Sequence, residues 1–289
     1  MSLIIEREIL VNDFTLKHKE ENMAKRLIST AVGILILALV FISQNLFVIN
    51  LAVTIVSIIG LFEFYNAFKA KGIKPFGTIG YIVSLGILSI GYLDNNTTKA
   101  LLFVALPIIL FVLFCKSFFT NNKYNVIDVA VTLLGIAYIP LLLSFISFTC
   151  HLTNGLYFVW YILAGAWVTD SFAYLVGCKF GKHKFSEISP KKSIEGCVGG
   201  VIGCALFYFA YTYYLKSIGI ELNYLVMIVL GALVSVISQI GDLAASSVKR
   251  YCGEKDFGTI MPGHGGILDR FDSVIMIAPF VYMFFQFLV

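Results

Sequence analysis

Charged residues are scarce in this sequence. Only 13% of its 289 residues are Asp, Glu, Lys or Arg, whereas 59% are hydrophobic. Soluble domains carry about 25% charged residues, so the composition excludes a soluble globular protein. The six cysteines form no C-x-x-C pair, which indicates small apolar side chains rather than a thiol metal site. No Pro/Ser-rich linker divides the chain, and we therefore expect a single integral membrane domain.

The hydrophobic residues form long, continuous runs. Runs of about 17–25 apolar residues have the length of a membrane-spanning helix, whereas the strands of a membrane β-barrel would alternate with a period of two. The sequence therefore predicts an all-α, polytopic membrane protein with about nine transmembrane helices. The predicted helices cover residues 27–43, 46–65, 76–93, 100–118, 126–149, 156–177, 197–215, 223–245 and 272–288.

The basic residues predict the orientation of the chain. Lys and Arg in short loops are retained on the cytoplasmic side. With the N-terminus cytoplasmic and the C-terminus outside, 19 of the 21 Lys and Arg residues lie inside, and only Lys99 and Lys216 lie outside. The net charge of +4 thus reflects orientation and indicates no nucleic-acid partner. Residues 1–22 lack the order of regions found in a signal peptide, and we expect them to form a cytoplasmic N-terminal extension.

Several acidic residues fall inside the predicted helices, where ionisable groups are costly and usually functional. Asp170 and Asp242 are interpreted in this way. In a helix, Asp242, Ser246 and Lys249 share one face, because they are four and three residues apart. An Asp–Lys pair at the helix end is the structural alternative for this face. Two further acids lie near cytoplasmic helix ends and are interpreted as structural: Glu63 and Asp128.

The loop before the last predicted helix combines acids, bases and glycines. Asp269 and Asp272 are three residues apart, and like charges so close require a cation or a proton between them. Mg²⁺, which binds carboxylates together with substrate phosphates, is the expected cation. The stretch PGHGG at 262–266 leads into a helix N-terminus, a favourable place for phosphate. The neighbouring cations suit phosphate binding and are Lys249, Arg250, Lys255 and Arg270. A phosphate or scaffold role is expected for His264.

Two long stretches resemble the phosphatidate cytidylyltransferases, the CDP-diacylglycerol synthases. The stretch SSVKRYCGEKDFGTIMPGHGGILDRFD matches the signature of that family at Ser246, Lys249, Arg250, Lys255, Asp256, Gly258, Pro262, His264, Gly265, Gly266, Asp269, Arg270 and Asp272. The stretch DSFAYLVGCKFGKHKFSEISPKKSIEGCVGG resembles a second block of the family, and Ser193 stands there where Thr is common. The resemblance covers the C-terminal 120 residues in detail and the N-terminal helices only in hydropathy and length.

The resemblance implies transfer of a cytidylyl group from CTP to phosphatidic acid, with release of pyrophosphate. It suggests a paired Mg²⁺ and K⁺ centre held mainly by Asp242 and Asp269, with support from Asp272 and Asp256. The basic residues expected to bind substrate phosphates are Lys191, Lys192, Lys249, Arg250 and Arg270. Further residues expected in the substrate site are Asp170, Ser193, Ser246, Lys255, His264, Gly265 and Gly266.

These expectations define the organisation of the whole chain. We expect residues 23–289 to form a single transmembrane catalytic domain, with an active site mainly in 165–275 that faces the cytoplasm from the cell membrane. CTP and phosphatidic acid are the expected partners, and a homodimer is left open.

Three other functions use similar features. A CTP-dependent lipid kinase would need the same metal and phosphate groups but would transfer the γ-phosphate to a lipid alcohol. A CDP-alcohol phosphotransferase is disfavoured, because its characteristic run of Asp-Gly, Ala-Arg and further Asp residues is missing. A transporter would explain many helices with intramembrane acids, but it would be expected to carry paired broken helices in repeated halves.

Overall fold

The fold was analysed in a computed structural model, which describes residues 32–33, 35–89, 95–120, 124–185, 189, 192–261 and 265–288. This part of the chain is helical apart from short connections and two isolated β-bridges. Helix α1 covers residues 35–42. The later helices are α2 (Leu46–Lys69), α3 (Gly77–Leu85), α4 (Asn95–Phe119), α5 (Val126–Ile136), α6 (Leu142–Cys150), α7 (Gly155–Phe180), α8 (Ile194–Ser217), α9 (Tyr224–Cys252) and α10 (Leu268–Leu288).

The helices agree with the predicted apolar runs from residue 46 onwards. Within the described residues, five segments are long and apolar enough to span a membrane: Leu46–Lys69, Val126–Cys150, Gly155–Phe180, Ile194–Ser217 and Tyr224–Cys252. Shorter apolar helices cover Gly77–Ser89 and Val104–Phe119. The all-helical membrane architecture is therefore confirmed. Nine crossings and the orientation of the termini stay predictions, and the predicted helix at 27–43 falls largely outside the described residues.

One spanning segment is interrupted by a wider turn. Residues Ala137–Leu141 form a π-helix between α5 and α6, and this π segment contains Pro140. Proline has no backbone N–H group and cannot donate the hydrogen bond that an α-helix requires at that position. Short π-helical turns re-aim the side chains around them and occur frequently at functional sites. The sequence predicted one continuous apolar run here, without this interruption.

Polar contacts fix the start of α5 against the chain that precedes α3. Asn125 and Asp128 form a reciprocal capping box at the α5 N-terminus. The Asp128 Oδ1 atom also accepts a hydrogen bond of 2.6 Å from the backbone N–H of Lys74. Tyr65 of α2 donates its hydroxyl to the carbonyl of Thr132, at 2.9 Å. These contacts agree with the structural interpretation of Asp128.

Small residues and tyrosines bring α7, α8 and α9 together. A Cβ atom at Gly199 of α8 would lie 2.5 Å from the Val176 side chain of α7, so the two backbones approach closely there. Tyr208 of α8 donates its hydroxyl to the carbonyl of Tyr161 on α7, at 2.7 Å. The Tyr161 hydroxyl shares a hydrogen bond of 2.7 Å with Thr212. This packing holds together α7 and α9, which carry Asp170, Asp242 and Lys249 of the predicted site.

Candidate active site

The signature segment forms the end of α9, a loop and the start of α10. Gly253 ends α9 with φ +80°, and Gly265 has φ +84°, a left-handed conformation that glycine adopts readily. The backbone N–H of Met261 donates to the carbonyl of Gly265 at 2.9 Å and closes a narrow loop. His264, a predicted phosphate-binding residue, lies in this loop and outside the described residues.

Asp269 is buried and accepts three hydrogen bonds. Its Oδ1 atom accepts from the Lys249 Nζ atom at 2.8 Å. Its Oδ2 atom accepts from the backbone N–H groups of Phe257 and Gly266, both at 2.9 Å. The Asp269 side chain is only 2% exposed, and Lys249 also lies over the ring of Phe257, 5.4 Å from its centroid. Asp269 thus ties α9, the loop and α10 into one unit.

A carboxylate from α2 occupies the N-terminus of α10. Glu63 accepts hydrogen bonds from the backbone N–H groups of Ile267 at 3.0 Å and Leu268 at 2.8 Å. Cβ atoms built at Gly258 and Gly266 would each lie 2.5 Å from an oxygen of Glu63, so both glycines leave room for this side chain. The expectation that the start of α10 is open to phosphate is therefore wrong for these two N–H groups.

The charges of three other carboxylates interact with one another. Asp272 of α10 lies in the field of Asp242, Lys249 and Asp170. A Cβ atom at Gly241 would lie 3.1 Å from the Asp272 carbonyl oxygen, which shows how closely α9 and α10 approach at this point. We call Asp170, Asp242 and Asp272 the open trio, and Glu63 and Asp269 the closed pair. Each member of the open trio comes from a different helix.

Basic residues interact with two members of the open trio, Asp170 and Asp242. Lys192 forms an ion pair with Asp242, and both side chains are 25% exposed. Asp170 is exposed and lies in the field of Lys192, Asp242 and Arg270. The Asp–Lys pair considered for the α9 face is not formed, because Asp242 pairs with Lys192 and Lys249 pairs with Asp269. Lys191 lies outside the described residues.

Ser193 caps the start of α8. Its Oγ atom accepts a hydrogen bond of 3.1 Å from the backbone N–H of Gly196. A Cβ atom at Gly181 would lie 2.7 Å from this oxygen, so the hydroxyl is packed closely against the end of α7. The structure therefore gives Ser193 a helix-capping role that sequence reasoning missed, and its predicted contact with substrate stays a prediction.

A cavity of about 860 Å³ lies between the last turns of α2 and the loop after α9. This volume is within the range of about 300–1,000 Å³ that is usual for small-molecule sites. Lys255, Asp256, Gly265 and Arg270 line it, together with Asn66 of α2. The other predicted site residues that the structure describes, the open trio included, are not among the lining residues. Ser246 is half-buried, and Arg250 is exposed and donates to the Glu254 carbonyl at 3.3 Å.

The open trio offers the donor atoms that Mg²⁺ prefers. Among the described residues, no group of three or more His, Cys, Asp or Glu side chains could hold a metal ion. Mg²⁺ usually takes one or two carboxylates and completes its shell with water and substrate phosphates. Asp242 and Asp272 fit that role, because they lie on α9 and α10 where the two helices approach closely at Gly241. Asp269 and the exposed Asp256 stay predicted ligands.

Comparisons with known proteins agree with the signature. Residues 24–288 match the model of the cytidylyltransferase family. The chain is 33% identical over 253 residues to a phosphatidate cytidylyltransferase of Staphylococcus aureus (strain COL), covering 86% of this chain and 94% of that protein. It is 35% identical over 231 residues to the phosphatidate cytidylyltransferase of Bacillus subtilis (strain 168), covering 78% and 83%. With matches of this extent, the chain belongs to the cytidylyltransferase family.

Proposed function

We infer that this protein transfers the cytidylyl group of CTP to phosphatidic acid, which gives CDP-diacylglycerol and pyrophosphate for phospholipid synthesis. One observation carries the proposal. Three carboxylates from α7, α9 and α10 lie in one another's electrostatic field, and Lys192, Lys249 and Arg270 lie in the same field. Joining two anionic phosphates needs this combination of charges, because negative charge accumulates where the substrates meet.

The reaction is a substitution at the α-phosphorus of CTP. A phosphate oxygen of phosphatidic acid forms the new P–O bond, the bond from the α-phosphorus to the bridging oxygen breaks, and pyrophosphate leaves with that electron pair. The lipid phosphate is ionised near neutral pH, so neither a side-chain nucleophile nor a general base is required. The protein contributes position and charge, and Lys192 and Arg270 are the side chains placed to offset the phosphate charge beside the open trio.

Asp242 and Asp272 would hold Mg²⁺ in this proposal. The bound ion would neutralise phosphate charge and favour departure of pyrophosphate. The Lys192 ammonium group already pairs with Asp242, which supports this as a position that attracts cations. Asp269 contributes by fixing Lys249 and the loop. A second ion, K⁺, and further carboxylate ligands follow from the family resemblance alone.

We place the site at the cytoplasmic face of the cell membrane, with about nine crossings in the chain. The support is the distribution of basic residues, because 19 of 21 fall on one side in this arrangement. The cavity lined by Lys255 and Arg270 would then admit CTP from the cytoplasm, and phosphatidic acid would reach the open trio from the bilayer.

The experiment uses the purified protein in detergent with phosphatidic acid, Mg²⁺ and CTP labelled at the α- or the γ-phosphate. The proposal predicts lipid product labelled only by α-labelled CTP, together with an equal amount of pyrophosphate. Lipid labelled from the γ-phosphate, with CDP as co-product, would contradict it and indicate a lipid kinase. The Asp242→Asn variant serves as the control for contaminating activity.

A further inference from the structure

Tyr138 lies on the π segment between α5 and α6, in the half of the chain that the signature does not cover. Its hydroxyl oxygen is buried and has no hydrogen-bond partner among the residues that the structure describes. A buried hydroxyl without a partner costs about 1–3 kcal/mol. This position therefore retains an unfavourable group that a phenylalanine would avoid.

The Tyr138 hydroxyl lies in the electrostatic field of the candidate active site. The charges that act on it are those of Asp272 and Asp242, two members of the open trio. The ring packs against Phe64 of α2 at a centroid separation of 6.2 Å. Gly60 of α2 helps to bring the elements together, because a Cβ atom there would lie 3.2 Å from Ile139 and 3.5 Å from Leu268 of α10.

Other buried hydroxyls in the described part of the chain also lack a partner, and Ser238 and Ser273 are examples. A serine in a helix can rotate its hydroxyl towards a carbonyl of the preceding turn, so it has a local alternative. The tyrosine hydroxyl stands at the end of a rigid ring and cannot reach the backbone of its own turn. Since no described residue accepts from the Tyr138 hydroxyl, a group that binds beside the carboxylates would give this donor an acceptor.

We propose that Tyr138 is a substrate-binding residue, which donates its hydroxyl to a phosphate oxygen of a substrate held beside Asp242 and Asp272. This inference rests on the proposed function. In the structure, neither Asp242 nor Asp272 accepts a hydrogen bond from the Tyr138 hydroxyl. A substrate phosphate oxygen would accept it, and hydrogen bonds to charged acceptors are stronger than those to neutral acceptors. The phosphate could belong to CTP or to phosphatidic acid, and the test separates these two sources.

The test compares the wild type, Tyr138→Phe and Tyr65→Phe. Tyr65 is a matched control, because it is also buried but donates to the Thr132 carbonyl at 2.9 Å. Each protein is unfolded thermally in detergent without substrate, with CTP and Mg²⁺, and with phosphatidic acid. Dissociation constants for the two substrates and turnover are measured on the same samples.

For Tyr138→Phe we expect an unchanged or higher melting temperature without substrate, a smaller stabilisation by one substrate, and a dissociation constant for that substrate raised about 10-fold or more. A change for CTP assigns the bond to the nucleotide, and a change for phosphatidic acid assigns it to the lipid. Tyr65→Phe should melt at a lower temperature and bind both substrates normally.

Two results would overturn the inference. One is unaltered affinity for both substrates in Tyr138→Phe. The other is a fall in melting temperature like that of Tyr65→Phe with unaltered ligand stabilisation, which would show that the hydroxyl is bonded within the substrate-free protein. A wild type that makes no CDP-diacylglycerol would instead contradict the proposed function, so the two failures are distinguishable.

Discussion

The closed pair and the open trio use the same chemical group in opposite ways. The Glu63 and Asp269 carboxylates accept hydrogen bonds from four backbone N–H groups, and Asp269 also accepts one from Lys249. The open trio has fewer donors: Asp272 accepts from the adjacent Ser273 N–H, and Asp242 pairs with Lys192. Carboxylates whose oxygens already accept several hydrogen bonds stabilise a loop, whereas neighbouring carboxylates with few donors favour binding of a cation or another ligand.

Two acidic residues of the same sequence signature therefore have different roles. Asp269 and Asp272 are three residues apart in the same helix, yet Asp269 is bonded to the loop backbone and Asp272 lies in the electrostatic field of Asp242 and Asp170. Substitutions that remove only the negative charge should therefore lower stability in the closed pair, whereas in the open trio they should lower turnover and leave stability intact. The predictions below test that separation, beginning with the largest effect.

Asp269→Asn should remove both stability and activity. An amide group cannot accept from Lys249 and from two N–H groups at once, so it leaves buried donors without a partner. Breaking a buried ion pair on one side costs about 3–5 kcal/mol. We expect a markedly lower melting temperature in detergent, measured by thermal unfolding, together with loss of turnover. An unchanged melting temperature would remove Asp269 from the closed pair.

Asp242→Asn should remove activity and leave stability intact. The substitution deletes one of three like charges and one side of a partly exposed ion pair, so folding loses little. Turnover should fall at least about 10²–10³-fold, as expected for loss of a group that stabilises charge in the transition state. Measurement of pyrophosphate release at saturating Mg²⁺, beside the melting temperature, checks both parts. A destabilised Asp242→Asn would contradict the assignment of this residue to the open trio.

Glu63→Gln should weaken the loop through the N-terminus of α10. One N–H group would keep its acceptor, but the other would face an amide NH₂ group, which costs about 1–3 kcal/mol. We expect a lower melting temperature and a moderate loss of turnover. Glu254→Gln is the matched control, because Glu254 is exposed at the start of the same loop. Equal effects of the two substitutions would count against the capping role of Glu63.

Ser193→Ala should have the smallest effect on stability and turnover, and it tests a hydroxyl group instead of a carboxylate. Loss of a helix N-cap costs about 0.5–2 kcal/mol. If capping is its role, the melting temperature falls slightly and the KM values for CTP and phosphatidic acid stay unchanged. A raised KM with normal stability would instead support the contact with substrate that the sequence predicts.

Helix positions could be predicted because apolar length is a local property of the chain. The run at 223–245 corresponds to α9, Tyr224–Cys252. The helix continues for seven residues beyond the predicted end, through Ser246, Lys249 and Arg250. Polar side chains end a hydropathy run, but they do not end backbone hydrogen bonding, so hydropathy placed the boundary too early.

The residues that form the site could be predicted from the sequence, but the ion pairs and hydrogen bonds between them could not. The sequence identified Asp242 and Lys249 as functional, whereas their partners Lys192 and Asp269 come from other elements. Glu63 bonds to residues 204 and 205 positions away, and no local pattern reveals such a contact. Tyr138 carries no sequence signal at all, because its importance arises from a π turn and from helices that meet it only in the folded protein.

The two glycines around Glu63 limit how this protein can change. Any side chain at position 258 or 266 would overlap the Glu63 carboxylate unless residue 63 became shorter at the same time. A shorter residue 63 would in turn leave two N–H groups of the α10 start without an acceptor. Positions 63, 258 and 266 are therefore expected to change together or to stay unchanged. A redesign of the loop between α9 and α10 would need matching substitutions in α2.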